Sequence, residues 1–74
     1  GDGFALVTTT PPERFVGVPL RDLEIRSKWG VTVTAVKPAD LPWEYTTADT
    51  VLRLDDLIIV AGATRRAEAF SQLR

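Results

Sequence analysis

From Val31 to Lys37 the chain reads Val-Thr-Val-Thr-Ala-Val-Lys, an unbroken run of β-branched and small residues that predicts a strand. Successive strand residues point to opposite faces, so Val31, Val33 and Ala35 are expected on one side and Thr32, Thr34 and Val36 on the other. Phe4 to Thr10 has the same character and predicts a first strand. Pro11 and Pro12 close it, because neither can donate to a ladder. Leu57-Ile58-Ile59-Val60-Ala61 is apolar at every position, the mark of a central strand covered on both faces. Gly62 is expected to end it.

Helical spacing is confined to two short stretches. Pro19 suits a first helical turn, where its missing N–H costs nothing, and Leu20 and Leu23 give that helix an apolar side. Arg26-Ser27-Lys28-Trp29 then leads to Gly30, a terminating glycine. Beyond Gly62, Thr64 is expected to cap a second helix. Ala63, Ala67, Phe70 and Leu73 share one face of it, while Arg65, Arg66, Glu68 and Gln72 face solvent.

Between these elements Phe15 is an apolar anchor in a loop, and Pro38-Ala39-Asp40-Leu41-Pro42 makes a turn. Trp43 to Thr46 can return as a hairpin partner, and Thr50 to Arg53 is a short extended piece. The result is an α+β fold, a small βαβ-type sheet with two helices packed on it. Residues 1–74 form a single domain, with Gly1-Asp2-Gly3 as a linker or cloning remnant.

Composition narrows what such a sheet can do. A domain of 74 residues buries only about 60% of its unfolded surface and is marginal alone. With no cysteine it has neither a disulfide nor a thiolate metal site, and pairing with a second copy is a common remedy. A homodimer is therefore expected. Nine basic residues against ten acidic ones, scattered along the chain, give no nucleic-acid stripe. The apolar run from Leu57 to Gly62 is far short of the ~20 residues that cross a bilayer, and no signal peptide is expected ahead of the domain. A soluble, cytoplasmic chain without direct membrane insertion is the expectation.

Catalytic chemistry has little to work with. There is no histidine or cysteine, and no serine or threonine stands beside an obvious base, so no catalytic residue is assigned and an enzyme is not expected. Asp55-Asp56, with Asp40, Glu44 and Asp49 nearby in sequence, could offer oxygens to calcium or magnesium. No Asp-x-Asp-x-Asp-Gly loop is present, and turn formation accounts for the pair. Arg26 and Lys28 beside Gly30 admit two readings, a cradle for phosphate oxygens or a solvated helix end. Trp29 and Trp43 can stack on an adenine, but serve more simply as core or interface anchors.

Three segments together resemble one family. Val16-Gly17-Val18-Pro19-Leu20-Arg21-Asp22-Leu23-Glu24-Ile25-Arg26 resembles the "vGk-tL-eL-lR" stretch of TrkA C-terminal (RCK-C) domains. Trp29-Gly30-Val31-Thr32-Val33-Thr34-Ala35-Val36-Lys37 is similar to their "yGvtVvaVkr" strand. Residues 49–62 are similar to "dtvLrpGDlLiVaG", with Asp55 where that pattern has a glycine. Val18 replaces a frequent lysine, Pro38 and Pro42 replace a turn glycine, and Thr32 stands where some members carry asparagine.

The resemblance implies a regulatory, dimerising domain of a bacterial potassium-transport protein. In that family it is attached to a Rossmann-like domain sensing NAD(H) or ATP/ADP, and no Gly-x-Gly-x-x-Gly occurs here. It implies cyclic di-AMP as an effector in the dimer cleft, at Arg26, Val31, Thr32, Val33, Thr47 and Ala48, with no required cofactor or metal. The implied partner is a membrane potassium channel or transporter, or a cation/proton antiporter. A ligand-free assembly domain and a divalent-cation sensor are the alternatives.

Overall fold

Three long strands carry the architecture of the computed structural model, which describes residues 3–74. They are β1 (Phe4–Thr9), β2 (Val31–Lys37) and β4 (Leu57–Ala63), with a two-residue β3 (Glu44–Tyr45). The sheet order is β1-β4-β2-β3 and every neighbouring pair is antiparallel. β1 and β2 thus run parallel with β4 inserted between them, a split βαβ arrangement. Of the linker expected at Gly1-Asp2-Gly3, the first two residues lie outside the described residues. The Gly3 carbonyl accepts the Thr64 N–H at 3.0 Å.

Simple alternation fails in β2, and the failure builds the core. Val33 pairs with Val60 and Ala35 with Ile59, so Thr34 is an extra residue, a β-bulge. The bulge shifts the phase of everything after it. Val31, Val33 and Val36 all end up buried on one face, at 1%, 6% and 3% exposure. Ala35 joins Thr32 on the other face, the reverse of the expected assignment.

That buried face is completed by Ile58 and Val60 of β4 and closed over by Phe15, Ile25, Leu52 and Phe70. Phe15 stacks on Phe70 at 5.6 Å and meets Trp29 edge-on at 6.2 Å. Trp29 is therefore a core anchor. Phe70 and Ala67 come from α3 (Thr64–Ser71) and share its buried face as expected, and Leu73 packs against the core beyond it. Ala63, expected on the same face, is instead the exposed last residue of β4, which runs on through Gly62. Ala63 occupies the N-cap position of α3 without a side-chain cap, so Thr64 opens the helix instead of capping it.

The central strand is not covered on both faces. Ile58 and Val60 are fully buried, but Ile59 and Ala61 are half-buried and Leu57 is exposed. The register places these three beside Leu6, Thr8, Thr32, Ala35 and Lys37, on the face away from the core. Small size explains the difference: the helices of this chain suffice for one face only.

The first predicted helix is two pieces, α1 (Leu20–Leu23) and α2 (Ile25–Trp29), separated by Glu24 in the left-handed region at φ 52°. Gly30 ends α2 at φ 71°, as expected, and donates its N–H to the Arg26 carbonyl at 3.0 Å. A methyl group at Gly30 would also meet the Arg66 side chain at 2.5 Å. Gly30→Ala is expected to lower stability by about 1–2 kcal/mol, from the cost of left-handed backbone alone. Urea unfolding at fixed m-value reads this directly, and an unchanged midpoint would show that the turn relaxes freely.

Asp56 builds the turn before β4. It is 5% exposed, its Oδ2 accepts the Arg53 N–H at 2.9 Å, and its own N–H donates to the Arg53 carbonyl at 3.1 Å. Asp55 beside it is exposed.

Candidate functional site

A cleft of about 440 Å³ opens where α1 and α2 meet the first half of β2. Its origin lies in the length of β3. The hairpin partner reaches only Ala35 and Val36, so among the described residues the outer edge of β2 from Val31 to Val33 has no neighbouring strand. Thr46 follows β3 and takes its place in part, donating from Oγ1 to the Val33 carbonyl at 2.6 Å. That bond turns the main-chain groups of Val33 away from β4, and strand alternation turns those of Val31 the same way. Their side chains lie in the core, so these residues offer the cleft backbone in place of side chains.

The opposite wall is formed by Leu20, Arg21, Glu24, Ile25 and Arg26, and the far end by Thr46, Thr47 and Ala48. The loop carrying these last residues is tied to α1 by main-chain bonds. Leu20 N–H donates to Thr50 O at 2.9 Å and Arg21 N–H to Ala48 O at 3.0 Å. Thr47 and Thr50 fix the loop's own shape, since the Thr47 N–H donates to Thr50 Oγ1 at 2.9 Å.

All six residues singled out from the sequence, Arg26, Val31, Thr32, Val33, Thr47 and Ala48, line this one cleft. Arg26 and Thr32 are exposed there. Among the described residues Arg26 has no ion-pair partner, which leaves its guanidinium available to an anion. Lys28 pairs with Glu24 at 3.3 Å, and the Gly30 N–H is spent on the helix cap. Of the Arg26, Lys28 and Gly30 cradle, only Arg26 faces the cleft; the other two form a solvated helix end.

Sequence reasoning missed Arg21. This second cleft arginine pairs with Asp49 and sits 3.8 Å from Asp22. No spacing signal joins Arg21 to a residue so distant in sequence, so only the folded chain brings them together. Glu24 adds a carboxylate to the wall, engaged by Lys28. Two arginines and a half-open strand edge make a surface for anionic oxygens and for groups that hydrogen-bond to backbone.

The other candidate chemistries do not converge. Trp43 lies outside the cleft, 41% exposed beside Ala35 and Tyr45. Trp29 is held between Phe15 and the Arg14 guanidinium, 5.9 Å from its ring. No group of three or more acidic side chains comes together among the described residues, so Asp40, Glu44, Asp49, Asp55 and Asp56 do not form a cation site there. No described helix is long and apolar enough to cross a membrane.

No protein-family model matches the chain, and no curated protein matches it in sequence. Solved structures match in shape. The RCK C domain of the potassium transport protein KtrA, in complex with cyclic diadenosine monophosphate, superposes with a TM-score of 0.79 at 22% identity. That match covers 96% of this chain and 84% of the KtrA domain. The GsuK channel bound to NAD superposes with a TM-score of 0.80 at 19% identity, over 95% of this chain and 13% of that one. The likeness is one of fold.

Proposed function

From an RCK C-domain fold, we propose that this chain is a regulatory module of a potassium-transport or cation/proton antiport system. It pairs with a second copy and takes cyclic di-AMP in the cleft between them. The observation that carries this reading is the convergence of Arg26, Thr32, Thr47 and Ala48 on one cleft beside the half-open edge of β2. The structural neighbour from KtrA holds that same ligand in its C domain.

The chemistry fits the residues. Cyclic di-AMP carries two phosphates and two adenines about a twofold axis, and a symmetric pair of chains repeats every cleft residue about such an axis. Arg26 from each copy meets one phosphate through a charge-assisted hydrogen bond. Thr32 supplies a hydroxyl to the base or ribose, and the main-chain groups of Val31 and Val33 supply further donors and acceptors. Val31 and Val33 thus contribute backbone, and Thr47 and Ala48 close the far end. Regulation follows when the ligand prefers one arrangement of the pair, which biases a membrane subunit joined to it.

Thermal melts with cyclic di-AMP, with calcium and with neither test the proposal. The expected outcome is a Tm that rises with cyclic di-AMP concentration, by mass action, and does not respond to calcium. Sedimentation at high micromolar concentration should give a dimer or a multiple of it. A dimer whose Tm ignores the nucleotide would identify an assembly domain without an effector, and a monomer unresponsive to it would remove the proposal.

A further inference from the structure

The far edge of the sheet, away from the cleft, is bare. Among the described residues β1 has β4 as its only strand neighbour. The Gly3 carbonyl is turned toward β4 by its bond from Thr64, so alternation directs Ala5, Val7 and Thr9 to β4 as well. The N–H and C=O groups of Phe4, Leu6 and Thr8 therefore project outward from the sheet. Their side chains are uncovered too: Phe4 is 74% and Leu6 70% exposed, and Thr8 is exposed.

Edge strands usually carry a charge, a proline or a bulge that discourages further pairing. Phe4-Ala5-Leu6-Val7-Thr8-Thr9 has none of these, and its register with β4 runs without a shift. The prolines come only after the strand, at Pro11 and Pro12.

We propose that β1 is an assembly edge, pairing antiparallel with β1 of a second copy about a twofold axis through Leu6. Symmetry selects this partner. A twofold axis perpendicular to the sheet keeps each face on its own side, and so sets Leu6 opposite Leu6 and Phe4 opposite Thr8. In that register every outward main-chain group meets an outward group of the partner. The aromatic and apolar side chains meet across the junction on one face, an aromatic beside a β-branched residue. An uncharged strand brings no like-charge repulsion against its own copy. Because the cleft lies on the outer side of β2, both contacts can form at once and would link cleft-paired chains into larger assemblies. The proposal does not rest on the effector reading.

The chain has no cysteine, so Leu6→Cys introduces a single thiol. Opposed residues of a hydrogen-bonded antiparallel pair lie about 5.5 Å apart at Cα, inside the range a disulfide spans. Mild oxidation without ligand should link Leu6→Cys chains efficiently and leave Tyr45→Cys chains, at the other end of the same face, mostly unlinked. Thr8→Pro removes an outward N–H that β4 does not use, and should cut Leu6→Cys linking at least tenfold while preserving the fold. Should that variant not fold, amide exchange in the unaltered chain decides. The Leu6 and Thr8 amides should be protected at high concentration and lose protection on dilution. Equal linking through Leu6 and Tyr45, undiminished linking with Thr8→Pro, or concentration-independent exchange would each overturn the proposal.

Discussion

Ile58→Ala is expected to cost about 2–5 kcal/mol, the range for cutting a buried isoleucine to alanine in a packed core. Ile58 has no exposed surface, sits in the strand flanked on both sides, and faces the helices. Domains carry roughly 0.05–0.15 kcal/mol of stability per residue, so this single change removes a large share of the total. Ile59→Ala, one position along, should cost much less. Its side chain lies half-buried on the helix-free face and leaves no closed cavity. Urea unfolding of the two variants side by side measures the difference. Hydrogen exchange should likewise find β4 the best-protected strand. Equal losses at the two positions would mean that the helix-free face is covered in solution.

Arg26→Ala is expected to lower cyclic di-AMP affinity at least tenfold. A hydrogen bond to a charged group contributes about 1.5–3 kcal/mol, each 1.4 kcal/mol is a factor of ten, and the twofold pair loses two such contacts together. Stability without ligand should barely change, because Arg26 is exposed and has no ion-pair partner among the described residues. Calorimetric titration of both proteins reads the affinity, and matched melts read the stability. Undiminished binding by Arg26→Ala would take this residue out of the site and shift attention to Arg21. That arginine must first leave Asp49 to serve a phosphate, which makes it the weaker donor in the folded chain.

The sequence by itself determined the elements whose causes are local. Runs of β-branched residues gave β1, β2 and β4 to within a residue or two at their ends. Gly30 stopped α2 because left-handed backbone suits glycine, and Asp56 made its turn because a short carboxylate reaches a nearby N–H. The helical spacing of Ala67 and Phe70 fixed the face that α3 buries. The resemblance also gathered the six cleft residues, since their segments flank two recognisable motifs.

Tertiary structure decided what depends on partners remote in sequence. The bulge at Thr34 arises where β2 must match β4 on one side and Thr46 on the other, with Thr34 Oγ1 donating to Ile59 O at 3.2 Å and Thr34 O accepting the Thr46 N–H at 3.3 Å. No property of Val-Thr-Val-Thr-Ala-Val marks that phase change, because each residue suits either face. Glu24 adopts left-handed backbone where its segment turns onto the core, a position that sequence alone leaves helical. Arg21 reached the cleft, and met Asp49, only through the docking of α1 on the Ala48–Thr50 loop. The uncovered face is a result of supply. Apolar strand positions outnumber what three short helices can cover, and which face stays open is settled by the side on which Phe15, Ile25 and Phe70 converge.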